Sequence, residues 1–444
     1  MPAKRIAIIG GGSVYMTSML SSIARFATEG SLAGSHVVLM DIDEKNLSLI
    51  ESWASAGAKA GGVPLTFSKT TNLDESLKDV DFVLSVIRPG GLDSRYLDET
   101  IPLKYGELGN ETVGVGGVFM GLRTIPHAVK IAETIQKHSP KAWLINYTNP
   151  AHQITLASMR AGHERTIGLC DGVFGVKWLA CKLIGIDTNQ ARDVDALVAG
   201  VNHCTWTTKL FYNGRDIYAE LDDILKRIKI EPVGYEDINQ SEFNWIDANA
   251  IRLYKYFGIL PGSTYYARDY YTLTDYKQRL ASAGHEHRSE FLRRIAVEKR
   301  ELIHSQLKDG KCRIAPLDQE DAAHGDQAIG VMNAIATDSR MLETVNVRNN
   351  GAVPFLPEDA VVEVGAVLTS VGALPIAAGN LPVGVQAVVK GAHDFGKLVV
   401  DASFQKDRRL VLQAAMAHPA HRDIDTMEKI IAEMFEAHKK WIGF

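Results

Sequence analysis

The chain has 444 residues, 46% of them hydrophobic and 23% charged, which is enough to bury a large core and too apolar for a disordered chain. Its formal net charge of -5 is small for this length and its basic residues are dispersed, so composition gives no electrostatic footing for nucleic acid. No run reaches the roughly 18 apolar residues of a membrane span, the start MPAKRIAIIGGGSVYM lacks a signal-peptide core, and 4 cysteines do not make a disulfide framework. The expectation is a cytoplasmic protein with reduced thiols and no membrane or nucleic-acid partner.

From Lys4 to about Asn149, short apolar runs alternate with helix-like stretches. RIAIIG reads as a strand, SVYMTSMLSSIARFA as a helix, HVVLMDID as a strand ending in acids, SLIESWASAGAKA as a helix, and DFVLSVI and AWLINYTNP as further strands. Unbroken Val, Ile and Leu runs belong to strands covered on both faces, so the series predicts a doubly wound parallel sheet.

Beyond Pro150 the pattern is mixed. VDALVAG and TKLFYNG are strand candidates, and Phe291, Leu292, Ile295, Ile303 and Leu307 approximate a 3.6-residue period within a helix from about His287 to Lys308. RNNGAVPFLPEDA reads as a loop entering the strand VVEVGAV, and DIDTMEKIIAEMFEAHKKWI as an amphipathic surface helix. The expected architecture is α/β: an N-terminal Rossmann-like domain over residues 1–195, and a C-terminal α+β domain over 196–444 for substrate and oligomerisation.

IAIIGGGSVYM sets three glycines between a strand and a helix, where backbone amides can face a pyrophosphate and missing side chains let it approach. Gly10 and Gly12 match the first two glycines of GxGxxG, with Gly11 between them and Ser13 after; Tyr15 stands where the third glycine would be. Asp41 ends the second strand, where a carboxylate can accept from a ribose hydroxyl and repel the extra phosphate of NADP. This predicts NAD as cofactor; the alternative is that Asp41 caps the following helix.

Longer stretches carry a family likeness: VIRPGGLDSRYLDETIPLKYGELGNETVGVGGVFMGLRTIP at 86–126, NYTNPA at 146–151, GLCDGV at 168–173, GVNHCTW at 200–206 and VRNNGAVPFLPEDAVVEV at 347–364. Together with the glycine turn they resemble glycoside hydrolase family 4, the NAD-dependent glycosidases, which stand outside the two-carboxylate scheme of most glycoside hydrolases. The resemblance implies a cycle of oxidation at sugar carbon 3, deprotonation at carbon 2, loss of the aglycone, addition of water and return of the hydride. It also implies a small-molecule sugar glycoside as substrate and a homodimer or homotetramer.

Such a cycle needs a cation where negative charge develops, and the resemblance implies Cys170 and His203 as its two protein ligands, with Mn2+ or another divalent metal bound. Spacing alone does not mark these two residues as a metal site, since a lone cysteine or histidine is as readily a core residue. In the phospho-glycosidase branch a tyrosine acts at carbon 2; Tyr266, in Tyr266-Ala267-Arg268-Asp269-Tyr270, fits that arrangement best, with Tyr265 the competing register. A phenol must be acidified by a nearby cation to serve, and Arg268 or the metal can do this.

Asp171 after Cys170 resembles the α-linked 6-phosphoglycoside hydrolases, where the acid protonates the leaving oxygen; its other readings are to orient His203 or cap the next helix. Arg95 and Asn149 correspond to residues that hold the sugar, and Arg88 and Ser13 are further candidates near a 6-phosphate. Arg88 can instead pair with Asp93 or Glu99. The resemblance implies a 6-phospho-α-glucosidase, with α-glycosidases for unphosphorylated or uronic sugars (α-galactosidase, α-glucosidase, α-glucuronidase) as the alternative. Two other classes compete: a lactate or malate dehydrogenase-like oxidoreductase, which the nucleotide half and NYTNP resemble, and a non-catalytic NAD-binding regulator.

Overall fold

A computed structural model describes residues 2–228, 245–263, 286–314, 319–418 and 423–444. Six segments form parallel strands: β1 (Arg5–Ile9), β2 (Ser35–Met40), β3 (Leu65–Thr70), β4 (Phe82–Ser85), β5 (Trp143–Asn146) and β6 (Thr166–Gly168). They lie in the order β3-β2-β1-β4-β5-β6, the strand order of a dinucleotide-binding fold. The apolar runs predict a parallel sheet and its strands β1, β2, β4 and β5, but not β3 (LTFSKT) or β6 (TIG), which carry few apolar residues. Ile6, Ile8, Val37, Leu39, Leu84 and Ile145 fill the core beneath the connecting helices.

The sheet continues with reversed direction. β7 (Val194–Val201), β8 (Cys204–Tyr212), β9 (Arg215–Asp216), β10 (Met341–Arg348), β11 (Val361–Thr369) and β12 (Gly372–Pro375) complete it among the described residues. The order runs on from β6 through β10, β11, β7, β8 and β9, and β12 pairs with β11 over Ala366–Thr369, beyond the stretch that pairs with β7. One sheet therefore passes through residue 195. Its register sets Gly168, Asn346, Glu363 and Gly200 in a line across four neighbouring strands.

The long helix Gly114–His138 packs against the helices Ala151–Arg160 and Val383–Gln405 around a second core of Phe119, Leu122, Ile154 and Val399. The C-terminal helix Ile424–His438 is amphipathic, but it is more than a surface element. It buries Met427, Ile430, Met434 and Phe435 in that second core, and its last-turn His438 is wholly enclosed. The His438 Nε2 lies 3.0 Å from Asp98, which also receives the Arg123 guanidinium at 2.9 Å. No described helix is long and apolar enough to cross a membrane.

Candidate active site

The glycine turn leaves β1 with Gly10 at φ 96°, and the amides of Gly10 and Gly11 both donate to the Met40 carbonyl at 2.9 Å. A Cβ at Gly10 would sit 2.7 Å from the Val86 carbonyl oxygen, so only glycine lets β1 and the segment after β4 approach this closely. The Gly12 amide donates to Asp41 Oδ2 at 2.9 Å, and the Asp43 amide to Asp41 Oδ1 at 3.0 Å. Asp41 does not cap the next helix: Asp43 does, accepting from the Asn46 amide at 3.0 Å. Ser13 Oγ accepts from the Tyr15 amide at 3.3 Å. Tyr15, where a third glycine would stand, donates its hydroxyl to the Leu292 carbonyl at 3.0 Å and carries Lys299 over its ring, so it seats the helix Arg288–Lys308.

Arg95 is buried on the helix Gly91–Thr100, held by Glu99 at 2.7 Å and by Glu111 at 2.9 Å. Arg88 pairs with Glu111 as well, and not with the expected Asp93 or Glu99. Those two are engaged elsewhere: Asp93 meets Arg293, and Glu99 accepts from the amide and hydroxyl of Ser289. Burial alone would raise the Glu111 carboxyl, but Arg88 and Arg95, helped by His203, hold it down at about 2.

β5 ends in Asn146, whose side chain bonds both the amide and the carbonyl of Thr148, while the Thr148 hydroxyl accepts from the Ile87 amide at 2.9 Å. Asn149 follows, joined to Pro150 by a cis peptide bond. At the end of β6, Cys170 is buried and Asp171 opens a short 3-10 turn into the helix Phe174–Ile184. Gln327 reaches the Cys170 carbonyl at 3.3 Å and Glu343 at 3.4 Å, and accepts from the Tyr147 hydroxyl at 3.3 Å. Burial pushes the Tyr147 phenol well above its ordinary range, with the charges of Asp171, Cys170 and Glu343 adding to the rise, so it stays protonated.

His203 occupies the turn between β7 and β8 at φ 64°. The preceding Asn202 donates to Glu363 at 2.9 Å, and Asn346 donates to the same oxygen at 2.9 Å. Glu363 is 4% exposed. Burial raises its carboxyl to about 7 against these two hydrogen bonds, with the charge of Asp171 contributing. His203 acts on Glu111 and Asp171 on Glu363, so the arginine cluster, the His203 turn and the Cys170-Asp171 pair form one electrostatic neighbourhood.

Among the described residues no three or more His, Cys, Asp or Glu side chains gather as a complete metal cage. The expected donors Cys170 and His203 would offer a thiolate and an imidazole, a pair compatible with a divalent cation that completes its shell with substrate oxygens and water. Tyr265, Tyr266 and Arg268 lie outside the described residues. Glu111, Asn202, Gln327, Asn346 and Glu363 receive no role from sequence reasoning. A signal for two of them exists: Asn346 stands between Val345 and Val347, and Glu363 interrupts the otherwise apolar run VVEVGAV, where an uncompensated polar side chain would be costly.

The parallel strand order, the glycine turn and the acid after β2 define a dinucleotide-binding α/β fold extended by a second, antiparallel region. The profile of family 4 glycosyl hydrolases matches residues 5–186, and that of the family's C-terminal domain matches residues 198–421. The chain belongs to family 4 of the glycosyl hydrolases. It is 31% identical to a probable 6-phospho-beta-glucosidase of Bacillus subtilis, over 99% of this chain and 97% of that one. It is 27% identical to the phospho-alpha-glucosidase PagL of Clostridium acetobutylicum, over 99% of this chain and 98% of the relative. Among solved structures it resembles a 6-phospho-alpha-glucosidase from gut microorganisms in complex with NAD and Mn2+, with a TM-score of 0.86, 27% identity and 99% of both chains covered.

Proposed function

We propose that this glycosidase hydrolyses α-linked 6-phosphoglucosides with NAD and a divalent cation, Mn2+ foremost, through transient oxidation of the sugar. The observation that carries the reading is the placement of Asp171 directly after the buried Cys170, at the head of the turn that leaves β6. A carboxyl group there is suited to give a proton to the leaving glycosidic oxygen. The chemistry supplied by the bound groups is reversible hydride acceptance at carbon 3 and polarisation of the oxygens at carbons 2 and 3.

The chain's own residues do the rest. Cys170 and His203 hold the cation. The turn at Gly10, Gly11, Gly12 and Ser13, bare of bulky side chains, lets the pyrophosphate approach the backbone, and Asp41 takes the ribose. Arg95 and Asn149, with Arg268, orient the sugar, and the pairing of Arg95 with Glu99 and Glu111 fixes where its guanidinium points. Tyr266, or Tyr265 in the other register, takes the proton from carbon 2. Residues 1–195 carry the dinucleotide and 196–444 complete the substrate site, in a cytoplasmic homodimer or homotetramer.

A panel of p-nitrophenyl α- and β-glucoside 6-phosphates and the plain α-glucoside, each with NAD+ and Mn2+, tests the substrate. The α-linked 6-phosphate is expected to be hydrolysed with the highest kcat/KM, exceeding that of the plain α-glucoside by about tenfold or more, since lost charge-assisted contacts cost about 1.5–3 kcal/mol each. Preference for the β-linked phosphate, the linkage in the name of the 31% identical relative, would overturn the linkage. Preference for the plain glucoside would overturn the phosphate.

A further inference from the structure

Glu363 is a buried carboxyl group within the sheet, and the residues it binds stand beside the two proposed cation ligands. One oxygen, Oε1, accepts from Asn202 and from Asn346, each at 2.9 Å. Asn202 directly precedes His203. Asn346 pairs in register with Gly168, two residues before Cys170, and its amide also lies 3.5 Å from the Gly168 carbonyl. Glu363 itself pairs with Gly200 of β7, so its backbone joins the same two regions that its side chain joins.

We infer that Glu363 is a positioning residue for the cation: it ties the segment carrying Cys170 to the turn carrying His203, so that thiolate and imidazole are presented together. The inference rests on the proposed ligand pair. His203 sits at φ 64°, a conformation that residues other than glycine rarely adopt, and such a turn persists only where its surroundings fix it. The Asn202 side chain, anchored on Glu363, is one such restraint, and the pairing of Val201 with Cys204 is another. Partners behind metal ligands commonly set metal affinity without touching the ion. Because burial keeps the Glu363 carboxyl up at about 7, a neutral amide of the same shape and acceptor oxygen is compatible with the site.

The test measures Mn2+ binding by the loss of the free-ion electron paramagnetic resonance signal, with NAD+ present, alongside NAD+ affinity by fluorescence titration. Glu363→Ala is expected to weaken Mn2+ binding by about tenfold or more, the range seen for groups that orient metal ligands. Its NAD+ affinity is expected to stay within about twofold of the wild type. Glu363→Gln, which keeps the acceptor, should restore Mn2+ affinity. Asn202→Ala, which frees only the His203 turn, should weaken Mn2+ binding in the same direction, and it decides the matter if Glu363→Ala does not fold. Cys170→Ala should abolish Mn2+ binding. If Cys170→Ala abolishes binding while Glu363→Ala and Asn202→Ala bind as the wild type does, the inference alone is overturned. If Cys170→Ala binds Mn2+ normally, the ligand assignment falls and the inference with it.

Discussion

The amide of Gly12 donates to Asp41 Oδ2 at 2.9 Å, so the residue read as the ribose acceptor also shapes the turn that faces the pyrophosphate. Asp41→Ala removes an acceptor from two backbone amides, those of Gly12 and Asp43, together with the ribose contact. NAD+ affinity is expected to fall about tenfold or more, the equivalent of one or two hydrogen bonds to a charged group. The preference for NAD+ over NADP+ should narrow, because the repelling charge is gone. Fluorescence titration with both dinucleotides measures each effect.

Asp171 as proton donor predicts a split by leaving group. Asp171→Asn should lose little rate on p-nitrophenyl glycosides, whose phenolate leaves readily without a proton. It should lose about 100-fold or more on disaccharide substrates, whose alkoxide does not. Equal losses on both would assign Asp171 to orientation or turn formation instead.

Asp98, Arg123 and His438 form a polar cluster with fully enclosed side chains. Removing one member leaves uncompensated charge in the core, so Asp98→Ala should cost about 3–5 kcal/mol in a chemical denaturation experiment. A variant within 1 kcal/mol of the wild type would show that the cluster contributes little.

Glu111 and Glu363 predict opposite slopes of stability with pH. The Glu111 carboxyl lies at about 2 in the folded protein, below its ordinary 4.5, so its contribution is full above 4.5 and is lost as pH falls toward 2. Glu363 lies at about 7, above 4.5, so its contribution is full below 4.5 and is lost as pH rises from 4.5 to 7. Thermal melts between pH 5 and 7 should therefore show Glu363→Gln gaining on the wild type as pH rises. Melts of Glu111→Gln between pH 5 and 3 should lose less stability on acidification than the wild type.

Much of the nucleotide half is legible in the sequence because its strands are covered on both faces and read as unbroken apolar runs, as in IAII, HVVLM and FVLS. β6 escapes notice because only Thr166, Ile167 and Gly168 form it. β10 escapes notice because Glu343, Thr344 and Asn346 break its apolar pattern, two of them to bond Gln327 and Glu363. Cys170 and His203 come from family likeness, since their chemistry leaves no spacing signature. Asn346 and Glu363 meet through the register of β10 with β11, and Asn202 joins them from the turn after β7, a meeting that a reading along one chain does not contain. Arg88 shows the same limit: sequence neighbours suggested Asp93 or Glu99, while the fold supplies Glu111.

The redox cycle is the centre of the account, and one incubation tests it most directly. Protein, NAD+ and Mn2+ are mixed with excess p-nitrophenyl α-glucoside 6-phosphate while phenol release and the absorbance of NADH are followed together. Many equivalents of p-nitrophenol per protein, with no net accumulation of NADH, is the predicted result. Stoichiometric NADH accumulation without p-nitrophenol would contradict it and point to an ordinary dehydrogenase.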